Sequence, residues 1–462
     1  MHLVVLGNGV AGVTAARYVR QRDPSARITL VSDEAEHFFA RTALMYAYMG
    51  QLTHGHLEPY ERGFWGKNRL HLVHDRVERV DVAAKQLHLR SGEPLGYDRL
   101  LLATGSVPMF FGWPGQDLHG VQGLYHLQDL DRMEAATRGV ERAVVVGGGL
   151  IGVEMAEMLH TRGVHVTFLI REPWAMGHFL PEEEGRLVER ETRRHGIDLR
   201  TSTELERLVG DEGGRVRAAV TTTGEEIPAQ FVGLTTGVRP NVDFLRESGI
   251  ELNRGVLVDR CFRTSAPDVF AAGDCAEFRE PLPGRKPVEQ LWYTARAHGA
   301  FAAHAILGHP RPYRPGVFYN SAKFFDVEYQ TYGRIDLRPP EGESTLYWEH
   351  PDGRAAARLQ HETDGQRRVV GVSVMGARHR HAVWAAWIEA GWGVEAVLAA
   401  LPSADFDPEL TREVAPALVE AYNRQHGTWV RVQARRGWRE WMARLPMRGN
   451  AAKTPLRASL HL

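Results

Sequence analysis

Residues 144–154 read VVVGGGLIGVE, and residues 4–13 read VVLGNGVAGV. Each is an apolar run of β-type residues that ends in G-x-G-x-x-G and passes into helix-forming residues. The first copy predicts a strand over Leu3–Leu6, the turn Gly7-Asn8-Gly9-Val10-Ala11-Gly12, a helix to about Gln21 and a second strand in ITLVSDE (28–34). The second repeats that order: Ala143–Val146, the turn Gly147-Gly148-Gly149-Leu150-Ile151-Gly152, a helix to about Thr161, then VTFLIRE (166–172). Three glycines at this spacing permit a tight turn, close backbone approach to a pyrophosphate, and close packing of helix on strand. The helix N-terminus then offers unpaired N–H groups and a positive dipole end to phosphate. One such turn is a weak signal. Two, each in strand–turn–helix context, point to two dinucleotide sites.

The second strands tell the copies apart. Aligned, they set Asp33 opposite Arg171 and Glu34 opposite Glu172. A carboxylate at this point accepts hydrogen bonds from the ribose of an unphosphorylated adenosine, so Asp33 fits FAD or NAD in the first copy. Arg171 would neutralise a 2′-phosphate and leans toward NADPH, whereas Glu172 would repel it. NADH and NADPH both stay open at this point.

The bulk numbers set the frame. At 462 residues the chain is long enough for about three domains. It is 43% apolar and 24% charged, with a net charge of −1, so no charge bias points to nucleic acid. The two cysteines, Cys261 and Cys275, form neither a close pair nor a metal cluster. With the first strand opening at Leu3, no room is left for a targeting peptide, and the expected compartment is the cytoplasm.

Further segments extend the pattern: YDRLLLATGSVP (97–108), TTGVRPN (235–241) and TSAPDVFAAGDCAEF (264–278). With the two glycine turns, they make residues 1–310 resemble the flavoprotein reductases with two dinucleotide-binding domains. That superfamily holds the pyridine nucleotide–disulfide oxidoreductases, the NADH-linked reductases of ferredoxins and rubredoxin, and apoptosis-inducing factor. The resemblance implies an α/β fold with two Rossmann-like domains, the FAD domain discontinuous (1–115 and 243–312) around an NAD(P) domain (116–242). A C-terminal α+β domain (313–462) follows. It also implies FAD on Gly7, Gly9, Gly12 and Asp33, with Val77, Ala103, Thr104, Gly105, Asp274 and Trp292 along the rest of that cofactor. NADH or NADPH would lie on Gly147, Gly149, Gly152, Arg171, Glu172 and Gly237.

Departures from the family then narrow the chemistry. Where thiol-dependent members place a flavin-side cysteine, HFFARTALMYAYMG (37–50) has Thr42, so reduction through a thiol of this chain is excluded. In ferredoxin-type members the same segment carries Arg, here Arg41, and five residues later a Lys that pairs with the glutamate matching Glu154. Tyr46 stands at that lysine position. Arg41, His37 or Lys323 could take over the partnership, or Tyr46 could hydrogen-bond the glutamate. In FYNSAKFFDVEYQTYG (318–333), two antiparallel strands are expected, with Lys323 a candidate for the flavin face and Asn320 in place of the family's aromatic.

From Arg431 onward the chain is strongly basic, carrying eight Lys or Arg against Glu440 alone. Trp438, Trp441, Met442 and Leu445 line one helical face. Three readings stand: an arm docked on its own domain or a homodimer partner, a surface that steers an acidic electron-transfer protein, or, least favoured, peripheral membrane contact. The alternation Arg378-His379-Arg380-His381 would extend a basic surface or open a solvated helix. The expected activity is hydride transfer from NAD(P)H to FAD and onward to an acceptor protein of ferredoxin or rubredoxin type, with quinone or O₂ behind it. The competing reading is a redox-responsive FAD/NAD-binding scaffold with slow turnover.

Overall fold

A computed structural model describes residues 1–406 and 414–433, and the tryptophan-bearing basic helix expected beyond Arg431 lies outside the described residues. The chain forms two compact units, Met1–Pro315 with Ala322–Asp326, and Gly316–Ser321 with the residues from Val327 on.

Two five-stranded parallel sheets organise the first unit. In one, the order is Val269–Ala271, Arg99–Leu102, His2–Leu6, Arg27–Ser32 and Leu70–His74. In the other it is Asp198–Arg200, His165–Leu169, Arg142–Val146, Phe231–Leu234 and Val121–Gln122. Parallel sheets are covered on both faces, and their central strands read as unbroken apolar runs for that reason. Leu3, Val4, Val5, Val144 and Val145 are all fully buried.

The duplication reaches further than the sequence signal. Ahead of the strand on the other side of the glycine-turn strand, each half inserts a three-stranded antiparallel meander. These are Val77–Asp81, Gln86–Leu89 and Pro94–Gly96 in one half, and Leu205–Gly210, Val216–Thr221 and Glu226–Pro228 in the other. A two-stranded ribbon, Ser106–Pro108 against Val238–Pro240, ties the two crossing segments together.

Helix Trp292–Ile306 packs closely on Val10–Arg22, the helix of the first glycine turn. The contact is made of small residues. A Cβ on Gly299 would lie 2.2 Å from the Ala11 carbonyl oxygen, and one on Gly273 would lie 2.9 Å from the Ala11 Cβ. This places the AAGD segment against the start of the first glycine-turn helix.

The sheet of the second unit runs Val327–Gly333, Val369–Met375, Ala356–Glu362 and Glu343–Glu349, and the strand Tyr319–Phe324 that edges it belongs to this unit as far as Ser321. Helices His381–Glu389, Val394–Ala400 and Ala415–His426 contribute to its core, in which Trp384, Trp387, Leu359 and Tyr422 are fully buried. This is the expected α+β arrangement. The reading of 378–381 as a basic surface needs correction. His379 is buried, its Nδ1 accepting from Trp384 Nε1 at 3.1 Å and its Nε2 lying 3.4 Å from Asp405. Arg378 is paired with Glu328. Burial thus takes His379 alone out of the surface, while Arg378 and Arg380 stay exposed at the helix start. Among the described residues no helix is long and apolar enough to cross a membrane.

Candidate functional site

The two glycine turns are built alike, glycine by glycine. Gly7 and Gly147 sit at φ +107° and +116°, and a Cβ on either would run into the parallel strand's end, 2.1 Å from the Ala103 oxygen and 2.6 Å from the Thr235 oxygen. Cβ atoms on Gly12 and Gly152 would lie 2.1 and 2.0 Å from the carbonyl oxygens of Gly7 and Gly147. The middle glycines differ in kind. A Cβ on Gly9 would meet no described atom within 4 Å, and one on Gly149 would meet only the His178 ring edge at 3.7 Å. Both are N-caps of long helices, Val10–Arg22 and Leu150–Thr161, with no side-chain cap. Free helix N–H groups thus face open space in each copy, which is the requirement for a pyrophosphate.

At the end of the second strand of the first copy, adjacent carboxylates divide the work. Glu34 is drawn into the protein. It takes a bidentate pair from Arg41 at 2.8 and 2.7 Å and the Leu127 N–H at 2.9 Å, with His126 at 3.4 Å. Burial alone would raise this carboxyl, but the bonds from Arg41 and His126 outweigh it and hold it at about 2. Asp33 is exposed, and none of the described residues bonds its carboxylate, so it remains available to a ribose. Arg41, expected at the cofactor, has its fork committed to Glu34 and the Tyr125 carbonyl, with the Tyr125 ring 4.3 Å away. Its position is that of a clamp on the segment, and sequence alignment could not show the partner seven residues upstream.

Around Asp274 lies a chain of hydrogen bonds. Gln290 Nε2 donates to Ser106 Oγ at 2.8 Å, Ser106 Oγ donates to Asp274 Oδ2 at 3.0 Å, and the Tyr125 hydroxyl reaches the same oxygen at 3.4 Å. Burial pushes the Asp274 carboxyl above its ordinary range despite these bonds and the nearby Arg41 charge. One carboxylate oxygen is held by the network, and the side chain keeps a partly accessible face. Ser106, Tyr125 and Gln290 were not singled out from sequence, because they converge from three separate segments.

The other expected flavin-side residues sit on these same elements. Ala103, Thr104 and Gly105 follow the Arg99–Leu102 strand, where the Thr104 hydroxyl donates to the Asn241 carbonyl at 2.7 Å. Val77 opens a meander strand, and a bulge follows it. Trp292 is the first residue of its helix and partly exposed. Gly237, at φ +113°, accepts from the Met109 N–H at 3.0 Å beside the ribbon.

In the second copy Glu172 and Arg171 separate clearly. A Cβ on Gly148 would lie 3.4 Å from Glu172 Oε2, so that carboxylate faces the glycine turn. Arg171 is 70% exposed, and among the described residues it pairs with its neighbour Glu172, at 3.2 Å.

Glu154 projects from the second turn of the Leu150–Thr161 helix. Among the described residues, none of the expected partners reaches it. Arg41 is held by Glu34, His37 lies beside Glu36 and Trp65, and Tyr46 makes no side-chain hydrogen bond. Tyr46 does sit on Leu44–Tyr48, which packs against the Glu154 helix. Lys323 bonds Glu157 instead, at 3.2 Å. Burial, then the Glu157 charge, push the Glu154 carboxyl up to about 8.

Cys275 is fully buried, its thiol directed at the Leu102 and Ala272 carbonyls, and Cys261 is likewise free. The two do not form a disulfide. The open helix N-terminus at Gly9, an uncommitted ribose-side carboxylate and a half-satisfied Asp274 fit FAD on the first copy. The open Gly149 cap with Glu172 beside it fits a pyridine nucleotide on the second.

Residues 1–299 match the family model described as pyridine nucleotide-disulphide oxidoreductase. The chain belongs to this family. Like its pyridine nucleotide-disulphide oxidoreductase relatives it uses FAD and NAD(P)H, and it is an FAD-dependent NAD(P)H oxidoreductase without a redox-active disulfide. It is 33% identical over 311 residues to the biphenyl dioxygenase system ferredoxin–NAD(+) reductase component of Paraburkholderia xenovorans, covering 67% of this chain and 76% of that one. It is 28% identical over 314 residues to the rubredoxin–NAD(+) reductase of Ectopseudomonas oleovorans, covering 68% and 81%. The crystal structure of a Rhodopseudomonas palustris ferredoxin reductase superposes with a TM-score of 0.75 at 23% identity, over 91% of this chain and 99% of that one, a likeness of fold.

Proposed function

We propose that this oxidoreductase takes electrons from NADH and delivers them to a small iron–sulfur carrier protein of ferredoxin or rubredoxin type. Held on Gly7, Gly9 and Gly12, FAD would supply the conversion from two-electron to one-electron chemistry between them. The observation that carries the proposal is the pair of matching cradles with no thiol at Thr42. With Thr42 at the flavin-side position, the chain offers no thiol there to take electrons from the flavin. The ferredoxin- and rubredoxin-directed names of the relatives support the acceptor class.

The geometry supports a role for each of these groups. Gly9 and Gly149 leave room for pyrophosphate, and Asp33 and Glu172 accept from the two adenosine riboses. Asp274, oriented by Ser106 and Gln290, accepts from the ribityl chain. Glu154 presents a carboxyl that holds its proton at neutral pH, with Tyr46 on the helix packed against it. The orientation of Glu172 toward the turn and of Arg171 toward solvent supports NADH over NADPH. The division into FAD residues 1–115 and 243–312 and NAD residues 116–242 follows the two parallel sheets and is part of this proposal. Steady-state reduction of a ferredoxin and a rubredoxin, each with NADH and NADPH, tests the reading. Turnover with NADH and one carrier is expected, and turnover only with free quinone or O₂ would replace it.

A further inference from the structure

Away from the nucleotide cradles, three metal-binding side chains converge. Glu191 and His195 stand one turn apart at the C-terminal end of helix Glu182–Arg194, and Asp326 comes from the turn that follows Phe324. His195 Nε2 lies 3.3 Å from Glu191 Oε1 and 3.4 Å from Asp326 Oδ2, and the three ligand atoms all fall within 4.8 Å of one another.

A charged His–carboxylate hydrogen bond closes to about 2.7–2.9 Å. Two atoms bound about 2.0–2.1 Å from one tetrahedral zinc are held about 3.3 Å apart. Both histidine–carboxylate distances leave room for the second geometry, but His126–Glu34 and His379–Asp405 are spaced alike at 3.4 Å, so what sets this place apart is the convergence of three ligand atoms within 4.8 Å. The surroundings fix the ligands in place. Glu191 is 1% exposed, with its other oxygen held by Arg194 at 2.6 Å. The His195 ring stacks on Phe325, with centroids 4.7 Å apart and planes 18° apart, and the His160 ring packs edge-on against it. Phe325 takes φ +53° and is buried, which carries Asp326 to the histidine. The carbonyl end of a helix also favours a cation.

We propose that Glu191, His195 and Asp326 bind a divalent transition metal of the zinc type, with water completing the shell. An imidazole among the donors disfavours Mg²⁺ and Ca²⁺. Glu and His at i and i+4 give two ligands from one helical face, and Asp326, 131 positions further on, closes the site. The role is structural. His160 lies eleven residues along its helix from Gly149, about 16 Å at 1.5 Å per residue, so the metal is remote from the pyrophosphate cradle. It clips the Phe325–Asp326 turn to the second nucleotide-binding half, beside the Lys323–Glu157 bond.

The test uses the full-length, FAD-loaded protein, stripped with chelator and titrated with Zn²⁺ alone by calorimetry and thermal melting. One ion per chain and a higher Tm are expected. His195→Ala should abolish that site. Asp326→Asn, at an exposed position that does not endanger folding, should weaken it at least about tenfold, since even outer-shell changes cost that much. Absence of a stoichiometric site in the wild type, or a site that survives both substitutions, would overturn the proposal and leave His195 as an ion-paired residue.

Discussion

Lys323 Nζ lies 3.2 Å from Glu157, one helical turn along from Glu154, for which it was one of four candidate partners. The Phe325 N–H donates to the same Glu157 side chain at 3.2 Å, so Glu157 is satisfied as an anion while Glu154 is not. The Lys323 charge is thus applied three residues further along the helix than Glu154. Glu154, without such a partner among the described residues, has its carboxyl pushed up to about 8 by burial and the Glu157 charge.

This gives a pH signature. A carboxyl at about 8 in the folded FAD-free protein and near its ordinary 4.5 when unfolded binds its proton more tightly when folded. Its contribution therefore favours folding at low pH, declines as pH rises from 4.5 to 8, and levels off above that. Glu154→Gln removes this decline. At pH 8 the variant is expected to be more stable than the wild type, by on the order of 1 kcal/mol or more, in urea melts compared across pH.

Removing the cation of the neighbouring pair has the opposite effect. Glu157 is 6% exposed, and Lys323→Ala leaves its carboxylate buried with the Phe325 N–H alone. Stability is expected to fall by about 1–3 kcal/mol at pH 7, read from the urea midpoint at unchanged m-value.

The Arg41–Glu34 clamp titrates in the other direction. With its folded value near 2, Glu34 adds stability that is fully present above its ordinary 4.5 and is lost as pH falls toward 2. Arg41→Ala should cost about 2–4 kcal/mol at neutral pH by stranding a buried carboxylate, and much of that difference should vanish near pH 2. Acid-range melting of the two proteins checks it.

The middle glycines separate fold from cofactor. Gly9→Ala meets no described protein atom within 4 Å, so the protein is expected to fold yet retain little FAD, measured as the flavin-to-protein absorbance ratio. Gly149→Ala should keep FAD and weaken nucleotide binding about tenfold or more, by blocking backbone approach to the pyrophosphate. Gly12→Ala, 2.1 Å from the Gly7 oxygen, should fail to fold.

How far the sequence could be read follows from which forces are local. Glycine turns, their strands and the AAGD segment were legible because a backbone requirement is written at consecutive positions. The meanders were not, since their short strands carry no periodic stretch long enough to stand out. Asp274 was identifiable, but Ser106 and Gln290 around it were not, because they meet through the fold. The Arg41–Glu34 pairing was not legible, because which neighbour an arginine takes is decided by geometry. His379 was misread for the same reason: a histidine between arginines looks solvated until Asp405 and Trp384 surround it.

Anaerobic stopped-flow mixing of the FAD-loaded protein with NADH, and separately with NADPH, tests the central claim most directly. The two cradles are coupled for hydride transfer if NADH bleaches the flavin band within seconds and NADPH does so more slowly. A flavin left oxidised by both nucleotides would contradict the account and make the chain a nucleotide-binding scaffold.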